Sequence, residues 1–160
     1  MAKNIQIVVF GIGKESYCVP IDAVQEIVRV PEVTTVPDAP AFFEGVINLR
    51  GRIVPVVDLR VRLRLPRVER TRSTRVLVTE NGGSVIGLMV DAVSEVCKLP
   101  FDAVEPPPEM IDAVGIEYIT GVVKRGGSLI VFLDVKKILS VDDMKKIVKT
   151  GEAGAESQAA

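Results

Sequence analysis

GVINLRGRIVPVVDL (residues 45–59) and GVVKRGGSLIVFLDV (residues 121–135) are one pattern written twice. Gly45-Val46-Ile47 aligns with Gly121-Val122-Val123, Gly51 with Gly127, Ile53-Val54 with Leu129-Ile130, and Val57-Asp58-Leu59 with Leu133-Asp134-Val135, all at an offset of 76 (134 minus 58). In each copy two β-branched runs flank a glycine-bearing turn, which reads as a β-hairpin. An Asp followed by apolar residues at helical spacing closes each copy, Asp58-Leu59 through Leu63 and Asp134-Val135 through Leu139. Such an Asp caps a short helix by accepting hydrogen bonds from free backbone amides.

The repeat extends upstream at a second offset. Ile7-Val8-Val9 matches Val76-Leu77-Val78, Gly13 matches Gly82, Ile21-Asp22-Ala23-Val24 matches Val90-Asp91-Ala92-Val93, Glu26-Ile27 matches Glu95-Val96 and Pro31 matches Pro100, at 69 residues (91 minus 22). The second copy is therefore about seven residues longer (76 minus 69), and the stretch around Pro106-Pro107-Pro108 is the expected place for the surplus. Copy one predicts strands over Ile5–Phe10, Ser16–Pro20, Val24–Val30, Val46–Leu49 and Ile53–Val57. Copy two predicts them over Arg75–Glu80, Ser84–Val90, Val93–Leu99, Tyr118–Lys124 and Leu129–Leu133, with turns at Asn81-Gly82-Gly83 and Arg125-Gly126-Gly127. Five short strands bury little as an open sheet, so the expected fold is mainly β: two tandem five-stranded barrels, about 5–64 and 74–139, packed as one domain over 1–150. A C-terminal helix is expected over 140–149, with Val141, Met144, Ile147 and Val148 on one side, and a disordered tail over 150–160.

Composition narrows the chemistry. The 160 residues are 48% hydrophobic but only 4% aromatic, so the core is built from Val, Ile and Leu, a strand-forming set. A net charge of -1 gives no general attraction to nucleic acid or to an anionic membrane. There is no histidine, which removes Ser-His-Asp and Cys-His catalysis, histidine phosphotransfer and the usual nitrogen ligand of zinc. Cys18 and Cys97 sit apart in apolar runs, and with no secretory signal or membrane-length apolar run the expectation is a cytoplasmic chain with reduced core thiols. Asp22 and Asp91, Glu26 and Glu95, and Asp58 and Asp134 recur in both copies and read as capping or turn carboxylates. Gly11-Ile12-Gly13 lacks the last glycine of a dinucleotide fingerprint. The expectation is a chain that is not an enzyme, with no cofactor and no metal.

Two features escape the repeat. Arg60, Arg62, Arg64, Arg67, Arg70, Arg72 and Arg75 crowd the connector between copies. Without interleaved aromatics they read as a solvated loop or protein contact, the alternative being a nucleic-acid-binding β-barrel that uses them on phosphates. Arg50 stands where copy two has Gly126, and a residue needed by only one copy is not needed to build the fold, so Asn48-Leu49-Arg50-Gly51 is where function is sought.

The stretch Phe43 to Arg60, with Gly87 to Val96 and Tyr118 to Gly121, resembles the signature of CheW-like domains, the coupling proteins of bacterial chemotaxis, over roughly residues 5–148. That resemblance implies SH3-like barrels and an adaptor recruited to membrane-associated receptor arrays without inserting into the membrane. Its partners would be the helical cytoplasmic tip of a chemoreceptor, lying in a groove between the barrels, and the regulatory domain of the histidine kinase CheA. Carried over by position, the receptor surface includes Val24, Glu26, Ile27, Gly45 and Arg50, together with Ile21 and Val8; no kinase-facing residue is assigned.

Overall fold

The computed structural model describes residues 3–81, 84–106 and 118–138. The chain is mainly β, with eleven strands, two helical turns and two 3-10 turns among the described residues. The strands are β1 (Asn4–Ile12), β2 (Glu15–Pro20), β3 (Val24–Arg29), β4 (Phe43–Leu49), β5 (Arg52–Asp58), β6 (Arg75–Asn81), β7 (Ser84–Val90), β8 (Ala92–Pro100), β9 (Val104–Glu105), β10 (Ile119–Arg125) and β11 (Ser128–Leu133). All ten expected runs are strands, and β9 is additional. The expected helix over 140–149, the tail over 150–160, and Gly82, Gly83, Pro107 and Pro108 lie outside the described residues.

Strand membership differs from the expectation that each copy closes on itself. One sheet runs β8-β1-β2-β11-β10-β9 and the other β3-β6-β7-β5-β4. Each half thus gives its first hairpin to the sheet of the other half, and a parallel pair seals each exchange, β11 with β2 and β5 with β7. Replacing every strand but β9 by its repeat counterpart turns one order into the other, so the repeat is real while the sheets cross the boundary near residue 70. The cause is a chain too short to loop back. Within its own half β8 would have to lie beyond β6, two strand spacings or ~10 Å from β7, yet the single residue Asp91 separates Val90 from Ala92, a reach of ~7 Å. The chain steps across to β1 instead, and the 3-10 turn Ile21–Ala23 carries β2 to β3 in the corresponding way. Neither sheet is a closed hydrogen-bonded barrel. In the five-stranded sheet the gap between β3 and β4 is bridged only by Thr34 paired with Val46.

Three apolar clusters follow from the alternation of the strands. Ile7, Val9, Cys18, Val123, Ile130 and Phe132 fill the curl of the six-stranded sheet, and Ile47, Val54, Val56, Val76, Val78 and Met89 fill that of the five-stranded one. The largest cluster lies between them and takes Val8, Phe10 and Val19 from one sheet and Val57, Leu77 and Leu88 from the other. Burial pushes the Cys18 thiol up to about 12, with Cys97 adding to it, so this sulfur is held as an inert thiol.

The expected caps are present. Asp58 Oδ1 accepts from the Arg60 amide at 3.0 Å ahead of the turn Leu59–Arg62, and Asp134 Oδ1 accepts from Lys136 at 2.9 Å ahead of Val135–Ile138. The surplus in copy two is split, however. A Cβ on Gly45 would meet Thr34 O at 2.4 Å and Val33 Cγ1 at 2.6 Å, and a Cβ on Gly121 would meet Glu105 O at 2.3 Å and Val104 Cγ1 at 2.8 Å, which makes Val33-Thr34 the counterpart of Val104-Glu105. That offset is 71 (104 minus 33), so two of the extra residues fall within the three-residue 3-10 turn Phe101–Ala103 and only five fall after β9.

Candidate partner-binding site

The β4–β5 hairpin turns on two residues, Arg50 at φ 53° and Gly51 at φ 83°, the left-handed pair of a type I′ turn. Asn48 Oδ1 accepts from the Gly51 amide at 2.8 Å and braces the turn. The β10–β11 hairpin makes the same turn with Gly126 and Gly127 at φ 56° and 80°. An L-residue in that conformation costs about 1–2 kcal/mol that glycine avoids. Arg50 therefore sits where its backbone is disfavoured, and its side chain is 77% exposed. Its guanidinium Nη2 donates to Glu26 Oε2 at 2.5 Å. The other oxygen, Glu26 Oε1, is shielded and has no hydrogen-bond partner. Gln25, Glu26, Leu49, Arg50, Arg52, Val54 and Val78 line a depression of about 200 Å³ here.

The seven candidate residues do not form one patch. Glu26 pairs with Val78, so it faces the inner cluster of the five-stranded sheet, whereas Ile27 pairs with Leu77 and faces the seam between the sheets. A bulge between Val24 and Glu26 returns Val24 to the seam side, where Ile21 also packs. Ile27 is 37% exposed at this rim. Val8 is only 1% exposed, inside the cluster between the sheets. Gly45, placed on the receptor surface by the resemblance, is already covered by its own chain through the Thr34 carbonyl. The structure thus groups Glu26 with Arg50 at the hairpin end, and Ile21, Val24 and Ile27 along the seam.

The repeat is closer here than the sequence suggests. Glu95, the counterpart of Glu26, pairs with Arg125 of the β10–β11 hairpin, which also donates to Cys97 Sγ at 3.0 Å. A carboxylate–arginine pair beside the hairpin is therefore common to both halves. What is particular to the first half is that its arginine occupies the left-handed turn itself.

The connector arginines are largely engaged within the protein. Arg67 reaches Glu44 at 2.9 Å, and Arg70 reaches the other oxygen of Glu44 at 2.7 Å. Arg67 also lies 3.8 Å from Asp58, whose carboxyl is raised above its ordinary range first by burial and then by the neighbouring Glu44 charge. Arg75 donates to the Arg72 and Thr74 carbonyls. Arg60 forks onto Asp91, with Nε to Oδ1 at 2.8 Å and Nη2 to Oδ2 at 2.5 Å. The hydrogen bonds from Arg60 hold the Asp91 carboxyl below its ordinary range against the opposing effect of burial. Arg62 lies between the Phe42 and Tyr118 rings, 5.1 and 5.0 Å from their centres. These internal roles were not legible in the sequence, where an arginine run looks alike whether it faces solvent or folds back onto carboxylates.

Comparison with known proteins agrees with this geometry. Residues 6–143 match the CheW-like domain. Chemotaxis protein CheW of Klebsiella aerogenes is 37% identical over 139 residues, covering 87% of this chain and 84% of that one. Chemotaxis protein CheW of Treponema pallidum is 34% identical, covering 91% and 88%. The crystal structure of the scaffolding protein TtCheW from Thermoanaerobacter tengcongensis has a TM-score of 0.80 and 32% identity, covering 89% of this chain and 92% of that one. In sequence and in three dimensions alike, this chain belongs to the CheW-like domain family.

Proposed function

We propose that this chain is a non-catalytic scaffold that couples a chemoreceptor's cytoplasmic tip to the regulatory domain of the histidine kinase CheA, and that it joins receptor arrays from the cytoplasm. In this reading the two curled sheets act as SH3-like barrels and residues 1–150 act as one unit. The receptor tip, an antiparallel helical hairpin, lies along the seam against Ile21, Val24 and Ile27, with Arg50 and Glu26 at its end. The observation that carries the reading is Arg50: the side chain is displayed to solvent from a backbone conformation that glycine fills more easily, and glycine does fill it in the other half. A side chain displayed in this way is available to a partner outside the fold.

The chemistry suits a helical partner. Ile27, exposed at the rim, and the half-buried Ile21 and Val24 offer apolar surface to the apolar face of a helix. A polar pair at the end supplies register, because Arg50 carries more donors than Glu26 Oε2 uses and the shielded Glu26 Oε1 still lacks one. The test is co-sedimentation of purified protein with receptor-containing membranes and kinase, together and separately. The coupling role requires the kinase to sediment with receptor only when this chain is present. Kinase recovery independent of the chain refutes it.

A further inference from the structure

We propose that Arg62, seconded by Arg60, is the positioning residue that fixes the rotation of the two sheets against each other. The idea rests on the receptor-seam reading for its consequence and on the geometry for itself. Both arginines come from the single helical turn Leu59–Arg62 that follows β5 of the five-stranded sheet. Two positions apart on a helix, they point to different sides. Arg60 reaches Asp91, at the junction of β7 and β8, and Asp91 Oδ2 in turn accepts from the Gly13 amide at 2.7 Å in the β1–β2 turn of the six-stranded sheet. The Asp91 amide donates to Gly11 O at 3.1 Å and closes the link.

Arg62 sits at the point where the two halves mirror each other. Phe42 and Tyr118 are repeat counterparts (118 minus 42 is 76), each accepting at its carbonyl from the capping Asp amide of its own half at 2.8 Å, and Arg62 lies between their rings. The counterpart of Arg62 itself is Ile138 (138 minus 62 is 76), and Arg62 Nε donates to the Ile138 carbonyl at 2.5 Å. One guanidinium therefore touches a ring from each half and the end of the opposite helical turn. The apolar cluster between the sheets holds them together without preferring one rotation strongly, since hydrophobic attraction is non-directional. Two directional anchors at separate points define the angle, and the angle sets the width of the seam in which Ile21, Val24 and Ile27 lie.

The test measures the angle directly. Spin labels at Arg29→Cys in β3 and Lys98→Cys in β8, both exposed, report the distance between sheets in a Cys97→Ser background. The unaltered turn gives one narrow distance distribution. Arg62→Ala broadens it while far-UV circular dichroism and the amide protection within each sheet stay as they were, and affinity for the receptor tip falls about tenfold or more. Should Arg62→Ala fail to fold, Arg62→Lys decides, because it keeps the charge and loses the planar stack and the Nε–H. A narrow distribution in the variant overturns the proposal. Failure of the unmodified protein to bind the tip defeats the receptor reading alone, since the distance measurement needs no partner.

Discussion

Arg50→Gly separates display from construction more cleanly than a charge reversal, which would set a second carboxylate beside Glu26. The substitution copies Gly126 of the other half. Relief of the left-handed backbone stabilises by about 1–2 kcal/mol. Against this, glycine loosens the unfolded chain by about 0.4–1 kcal/mol, and the exposed ion pair to Glu26, discounted for screening, is worth roughly 0.5 kcal/mol. The three nearly cancel, and the expected change lies between about 0.5 kcal/mol lost and 1 kcal/mol gained. In a domain of this size that moves the melting temperature by no more than ~4 °C. Binding behaves differently, because losing a charge-assisted hydrogen bond to a partner costs about 1.5–3 kcal/mol, which is about tenfold to over a hundredfold in affinity. Thermal melts paired with calorimetric titration of the receptor tip read both quantities. Unchanged affinity refutes the idea that Arg50 is displayed for a partner, and a loss of stability above about 2 kcal/mol shows that it is needed to build the hairpin.

Gly45→Ala and Gly121→Ala should each destabilise by roughly 2–4 kcal/mol, since a Cβ at either site collides with a backbone carbonyl rather than a movable side chain; urea denaturation checks this, and a Gly45 variant that melts normally but no longer binds restores that glycine to the partner surface. Acid titration distinguishes two carboxylates of opposite sign. The Asp91 carboxyl, lowered in the fold by Arg60, stabilises above its ordinary value of 3.8 and loses that contribution as pH falls through the lower folded value. The Asp58 carboxyl, raised in the fold by burial, favours the protonated native state, so its effect on stability improves as pH falls into the carboxylate range. Chemical denaturation against pH should show the deficit of Asp91→Asn shrinking below about pH 4, while any benefit of Asp58→Asn is greatest at neutral pH and fades on acidification; a pH-independent deficit for Asp91→Asn contradicts the clamp. Leu88→Ala, in the cluster between the sheets, should cost about 2–5 kcal/mol by the same denaturation assay. Oligonucleotide titration at physiological ionic strength should show no salt-dependent binding, because Arg60, Arg67, Arg70 and Arg75 are already occupied within the chain, and a steep salt slope would revive phosphate binding by the connector.

What the sequence determined was local. β-Branched runs marked the strands, Gly51 and Gly126-Gly127 marked hairpin turns, and Asp58 and Asp134 marked helical starts, because each of these depends on neighbours a few residues away. The repeat also made Arg50 stand out, and the structure supplied the reason in its positive φ. Tertiary structure alone decided which strands meet. Alternation tells a strand which of its faces is buried but not which edge lies beside it, so the exchange of first hairpins between halves was invisible until the single-residue link at Asp91 met the spacing of a sheet. For the same reason the roles of Arg60 and Arg62 came from three dimensions: their partners Asp91, Phe42, Tyr118 and Ile138 are brought within reach only after the two sheets have closed on the cluster between them.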